Sequence, residues 1–274
     1  MRLTDAEVAI AAAQAGAAVV QRDYGTGHVR RAKSGIDFAT QTDIDAERAI
    51  LHVLREHRPD DSVDGEELGR SVGASTTRRW LVDPLCGTLN FAATTPLSAV
   101  NVALSDQGQV IAAAVIDPIA ADLFWTDGTA SYVRVEGHDH ALGPSSTSML
   151  VDVSCDGPID QAFLGGQLVA DPQFCARFGP RVISSSLAAA WVAAGRRAAY
   201  VSDGHFRDNL HFAAAVALCE SAGCVVSDLA GDALHTGRGL VIAADVVTHD
   251  AIVEIVRPHL DAGAADPSSP ACRS

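Results

Sequence analysis

Trp80-Leu81-Val82-Asp83-Pro84-Leu85-Cys86-Gly87-Thr88-Leu89-Asn90-Phe91 concentrates the residues of this chain that could do chemistry. An apolar run over 80–82 reads as a strand that delivers Asp83, and Pro84 is expected to end it. Gly87 and Thr88 open the next segment, whose free backbone N–H groups and helix dipole would attract a phosphate. A carboxylate one step before such an anion site is placed to hold a hard cation against that phosphate. Where this chemistry calls for a second carboxylate, the chain has the thiol of Cys86.

The stretch resembles the signature Asp-Pro-x-Asp-Gly-Thr-x-Asn-Phe of the inositol monophosphatase family, lithium-sensitive-type phosphatases that depend on metal. Pro96 follows at the family's distance. Four further segments keep the family's order and cover nearly the whole chain. Lys33-Ser34-Gly35-Ile36-Asp37-Phe38-Ala39-Thr40-Gln41-Thr42-Asp43 is similar to its Lys…Asp-x-x-Thr-x-x-Asp run. Gly65-Glu66-Glu67 is similar to its Gly-Glu-Glu turn, and Val115-Ile116-Asp117-Pro118 to the strand that leaves the first domain. Leu210-His211-Phe212-Ala213-Ala214-Ala215, closing at Glu220-Ser221-Ala222-Gly223, resembles Trp-Asp-x-Ala-Ala-Gly…Glu-Ala-Gly-Gly.

The resemblance implies one Mg²⁺ held by Glu66, Asp83 and the backbone carbonyl of Leu85, all hard oxygen donors. It implies a water aligned and deprotonated by Thr88 paired with Asp43. Two departures fall on ligands of a second metal, which would neutralise charge on the leaving oxygen. Cys86 replaces the second signature Asp, and His211 replaces the Asp of Trp-Asp. Sulfur and imidazole suit Zn²⁺ better than Mg²⁺. Four outcomes stay open: Zn²⁺ or another transition metal; an empty site where a His211 imidazolium supplies the charge; a Cys86–His211 nucleophile–base pair; or a decayed site with no metal. The catalytic candidates are therefore Asp43, Thr88, Glu66, Cys86 and His211. His205, Arg207 and Asp208, just upstream, could replace the lost charge or form a solvated loop. Ser185 and Ser186, with Ser184, offer hydroxyls to a substrate or cap the following helix. The family's sugar-contacting Glu has no match; Ser202 and Asp203 stand nearest. His138-Asp139-His140 reads as an exposed turn, and His57 as a cap on the second helix.

With 274 residues, nearly half of them apolar, the chain can fill two α/β lobes or one large domain. A net charge of −14 argues against nucleic-acid and anionic-membrane partners and leaves a small-molecule substrate. Six Cys, at 86, 155, 175, 219, 224 and 272, form no CxxC and read as free thiols of a reducing interior. The N-terminus lacks a signal-type apolar segment and no run spans a bilayer, so a cytoplasmic protein is expected. The family often forms dimers, and the charge does not forbid a homodimer.

Thr4 caps an expected helix over 6–24, and a second helix runs over 44–56. Strands over 79–82, 98–104, 110–116, 123–125 and 131–135 suggest a mainly antiparallel sheet with helices on one side. Turns fall at Asp127-Gly128 and Glu136-Gly137. A Gly/Pro/Ser-rich linker at 143–148 separates an N-terminal lobe (1–142) from a C-terminal α/β lobe (149–261). The second lobe is expected to hold strands at 149–155, 182–183 and 198–202, helices at 159–170, 187–194 and 211–221, and a hairpin over 225–234. Residues 262–274 are expected to be a disordered tail. The resemblance implies an αβαβα layered sandwich of the inositol monophosphatase/fructose bisphosphatase type, with the metal site between the lobes. The expected activity is hydrolysis of a small sugar, nucleoside or polyol phosphate. A repurposed biosynthetic enzyme using Cys86 and His211, or a silent binding protein, is the alternative.

Overall fold

A computed structural model describes residues 2–26, 30–33, 38–156, 163–204, 206, 209–234 and 238–265. The chain divides into two compact units. The first comprises Met1–Leu142, Ser185–Ala190 and Asp208–Ala222, and the second Gly143–Ser184, Trp191–Arg207 and Gly223–Ser274.

The first unit runs α1 (Asp5–Asp23), β1 (Arg30–Ala32), β2 (Phe38–Thr40), α2 (Gln41–His57), β3 (Ser62–Gly65), β4 (Gly69–Ser71), β5 (Arg78–Cys86) and α3 (Thr88–Ala92). It continues through β6 (Ala99–Asp106), β7 (Gln109–Ile116), β8 (Leu123–Thr126), β9 (Ser131–Val135) and β10 (His138–Ala141). Thr4 caps α1 in a capping box with Glu7. β1 and β2 form a short antiparallel ribbon, and the rest make an eight-stranded sheet in the order β10-β9-β8-β7-β6-β5-β3-β4. Only β3 and β5 pair in parallel within it.

Alternate residues of the central strands, among them Trp80, Val82, Val100, Val102, Ala112 and Ala114, join the core with α1 and α2. The intervening Leu81, Ala103, Ala113 and Val115 are buried too. The returning segment Ala213–Ala222 packs there, and the Ser131 hydroxyl donates to its Leu218 carbonyl at 2.8 Å. Helices therefore cover both faces, not one as expected. The unbroken apolar run of β7 is the sequence trace of that double cover.

The sequence expects β5 to stop at Pro84, but the strand continues to Cys86. Register shifts there: Asp83 faces Asn101, and Cys86 faces Ala99. Proline has no N–H for the ladder, and the bulge absorbs it. His138–Ala141 forms an exposed edge strand rather than a turn, joined to β9 through Glu136-Gly137 with φ of 49° and 80°.

The second unit continues with β11 (Leu150–Val153), α4 (Leu164–Ala170), α5 (Pro172–Arg177), β12 (Gly179–Val182) and β13 (Ala199–Ser202); between β12 and β13 in the chain, α6 (Leu187–Ala193) begins in the first unit, to which Ser185–Ala190 belong. The chain then visits the first unit as α7 (Ala213–Ala222) and returns as β14 (Val225–Ser227), β15 (Leu240–Ala243) and α8 (Val246–Ala265). Its sheet is ordered β12-β11-β13-β15-β14, parallel among the first three strands and antiparallel beyond. The partner of β14 is β15 rather than a strand within 225–234, because Asp228 folds its own turn by accepting from Ala230 and Asp232 N–H. The part of the expected 159–170 helix before 163, and of the expected tail beyond 265, lies outside the described residues; 262–265 are the end of α8. Among the described residues no helix is long and apolar enough to cross a membrane.

Candidate metal and hydrolysis site

The bulge in β5 does the first part of the positioning. Asp83 is fully buried, and its Oδ1 accepts the Leu85 N–H at 3.0 Å across the bulge. The Leu85 carbonyl in turn accepts the Thr88 hydroxyl at 3.0 Å. Gly87 makes this sharp return feasible: its φ of 101° lies where side-chain-bearing residues are strained.

Asp43 comes from the first turn of α2. Its Oδ2 accepts Thr40 N–H at 2.8 Å and the Thr40 hydroxyl at 2.5 Å. The same carboxylate that ties down the helix start turns Oδ1 to the Thr88 hydroxyl at 3.0 Å. Burial raises the Asp43 pKa, against the pull of these three hydrogen bonds.

Glu66 is delivered by β3, whose pairing to β5 continues through Glu66 N–H to the Val82 carbonyl at 3.2 Å. Glu47, one turn beyond Asp43 and fully buried, accepts Glu67 N–H at 2.7 Å and Leu68 N–H at 3.0 Å, which sets the turn. A Cβ on Gly65 would lie 1.9 Å from Glu47 Oε1, so any larger residue would displace the carboxylate that sets the turn. Lys33 bridges Glu66 Oε1 at 2.6 Å and Glu67 Oε1 at 2.5 Å.

His211 Nδ1 bonds Asp83 Oδ2 at 2.8 Å and lies 3.8 Å from Glu66 Oε2. Asn209 accepts the His211 backbone N–H at 2.9 Å and holds this turn. Burial alone would lower the imidazole pKa, but the Asp83 bond and the charges of Asp83 and Glu66 outweigh it and push it up to about 9. Burial, then the charge of Asp83, push Glu66 up to about 8. These three residues each bring a ligand atom within 4.8 Å of the others. Two carboxylates and an imidazole so grouped fit a divalent cation.

Cys86 stands apart from that group. Its sulfur accepts Ser186 N–H at 3.2 Å, and burial followed by the Asp83 charge raises the thiol pKa. Among the described residues no hydrogen bond joins Cys86 to His211, whose Nδ1 is committed to Asp83. A nucleophile–base pair of these two is not what the structure presents. Ser185 takes the capping alternative: its hydroxyl accepts the Leu187 N–H at 3.3 Å at the start of α6. Ser185 and Ser186 are both buried; Ser185 donates to the Cys86 carbonyl at 3.3 Å and Ser186 to Asn101 Oδ1 at 2.9 Å. These bonds anchor the end of β5. Asp203, in the second unit, is bound by Arg238 and accepts Leu164 N–H at 2.8 Å. His205, Arg207 and Asp208 lie outside the described residues. His57 ends α2 as its last residue. Asp43, Thr88, Glu66, Asp83, Leu85, Cys86 and His211 all belong to the first unit.

The sequence reading left Glu47, Asn101 and Asn209 unnoticed. Glu47 had a signal: a carboxylate four residues after Asp43 lies on the same helix face.

The sequence pattern of the inositol monophosphatase family matches residues 2–261. The chain belongs to the inositol monophosphatase family. A protein of Mesorhizobium japonicum named inositol-1-monophosphatase is 33% identical over 235 residues, covering 82% of this chain and 85% of that one. Nus factor SuhB of Salmonella typhimurium is 30% identical, covering 92% and 96%. The crystal structure of the extragenic suppressor protein suhB from Bartonella henselae superposes with a TM-score of 0.80 at 26% identity, covering 92% and 97%. The family's layered α+β fold, expected from the motifs, is the fold of this chain.

Proposed function

We propose that this chain is a metal-dependent phosphomonoesterase acting on a small sugar, nucleoside or polyol phosphate. The observation that carries the reading is the Thr88–Asp43 hydrogen bond of 3.0 Å, linked through the Leu85 carbonyl and Asp83 to the Glu66–Asp83–His211 group. Glu66, Asp83 and the Leu85 carbonyl would hold Mg²⁺ or a similar divalent cation, with His211 at the position where the family motif it resembles has a carboxylate. When bound, such a cation supplies Lewis acidity and a more acidic water.

Thr88 donates its proton to Asp43 and so turns an oxygen lone pair outward, where it accepts from and aligns a water. Asp43, held by three donors, keeps that hydroxyl in one orientation and stabilises the charge that develops as the water loses a proton. The Gly87 turn puts Thr88 at the start of α3, where a phosphate would be received. His211, in its protonated form, would be a cationic donor for the leaving oxygen. The names of the relatives support hydrolysis of phosphate esters, and the SuhB relatives leave room for a second role. The half-buried Cys86, its sulfur bonded to Ser186 N–H and its thiol pKa raised, speaks against a repurposed thiol chemistry.

Phosphate release should be measured across a panel of sugar, nucleoside and polyol monophosphates with Mg²⁺, Mn²⁺ and Zn²⁺. We expect metal-dependent release that Thr88→Ala sharply lowers and that Cys86→Asp with His211→Asp raises. Absence of release from every ester, in the wild type and in the folded double variant, would sink the proposal.

A further inference from the structure

On the outer side of the Glu66 turn, α2 and the β3–β4 connection enclose a surface recess of about 400 Å³. Arg48, His52 and Arg55 line it from α2, at spacings of four and three that put them on one helix face. Leu51, Leu68 and Gly69 supply its apolar and backbone wall. Three nitrogen bases converge here on a chain whose net charge is −14. Arg48 is shared with Asp45 at 3.0 Å. Among the described residues Arg55 has no carboxylate partner, and its guanidinium carries a fork suited to two phosphate oxygens. Leu68 is 45% exposed, a large apolar side chain left at the rim. The volume suits a small organic ligand.

We propose that this recess binds a small phosphorylated metabolite, its phosphate on Arg55, His52 and Arg48 and its organic body against Leu51 and Leu68. The site also reports to the hydrolysis centre. Leu68 lies two residues beyond Glu66, and the Leu68 and Glu67 N–H groups are both held by Glu47. A ligand that presses on Leu68 and Gly69 therefore acts on the turn that carries Glu66. Neither the binding nor this coupling depends on what Glu66 and its neighbours hydrolyse.

The full chain, kept metal-free with chelator, should be titrated with phenylphosphonate, a non-hydrolysable phosphate mimic with an apolar body. NMR follows the His52 ring and the Gly69 and Glu67 amides. Saturable shifts at all three are expected, with inorganic phosphate binding more weakly. Arg55→Ala should weaken binding at least ten-fold, and Arg55→Lys should restore part of it. Arg55 is exposed on α2, and unchanged circular dichroism verifies the fold. Shifts reproduced by sodium chloride at matched ionic strength, or unchanged in Arg55→Ala, would overturn the site. Saturation at His52 with no response at Glu67 would overturn the coupling.

Discussion

Thr88 has one hydroxyl proton and two acceptors at 3.0 Å, the Asp43 carboxylate and the Leu85 carbonyl. Replacement by alanine removes the group that orients water and leaves Asp43 with one donor fewer. Turnover should fall about 10²- to 10⁴-fold with little change in unfolding temperature, which steady-state kinetics and calorimetry would establish. His211 offers a second test. In the metal-free protein its ring should titrate near pH 9, and in Asp83→Asn the midpoint should drop to the ordinary histidine range or below. A folded-state pKa raised above the unfolded value stabilises the fold fully below about pH 6.5, and this contribution fades as pH rises through about 9. Histidine NMR and chemical denaturation at several pH values check both statements. Cys86 should resist alkylation in the native state, whereas the exposed Cys175 reacts at once; mass spectrometry separates them. Asp43, Glu66, Asp83 and Thr88 were legible as candidates through the resemblance to the family's motifs. The orientation of Cys86 was not, because a thiol at a ligand position carries no sign of which neighbour it faces.

The β3–β4 turn and the β5 bulge set the site at the next scale up. Gly65→Ala would force a methyl group against the buried Glu47 carboxylate. We expect about 1–3 kcal/mol lost in urea unfolding, together with weaker metal binding by calorimetry. α1, α2 and most strands were legible from apolar periodicity and from the Thr4 cap. The continuation of β5 past Pro84 was not, since proline reads locally as a stop and the bulge depends on Asn101 and Ala99 across the ladder. The second helical cover was equally hidden. It comes from a later segment, whose Leu218 lies 87 residues beyond the Ser131 it bonds on that sheet, although the unbroken apolar run of β7 announced that something must lie there.

Across the whole molecule, charge is uneven: a strongly acidic chain gathers Glu66 and Asp83 at one place and Arg48 and Arg55 at another. Chelation should abolish phosphate release, and adding back Mg²⁺ or Mn²⁺ should restore it. The same treatment should leave far-UV circular dichroism unchanged, because both hydrophobic cores close without the ion. Lys33 is the only lysine in the sequence, and its ammonium is clamped between Glu66 and Glu67. Those two acids, against the opposing effect of burial, hold the amine strongly protonated. Amine-directed acylation would therefore meet just one side chain, at the metal group itself. Its slow rate in the wild type and faster rate in Glu67→Gln would make the single amine a built-in reporter of the state of that turn.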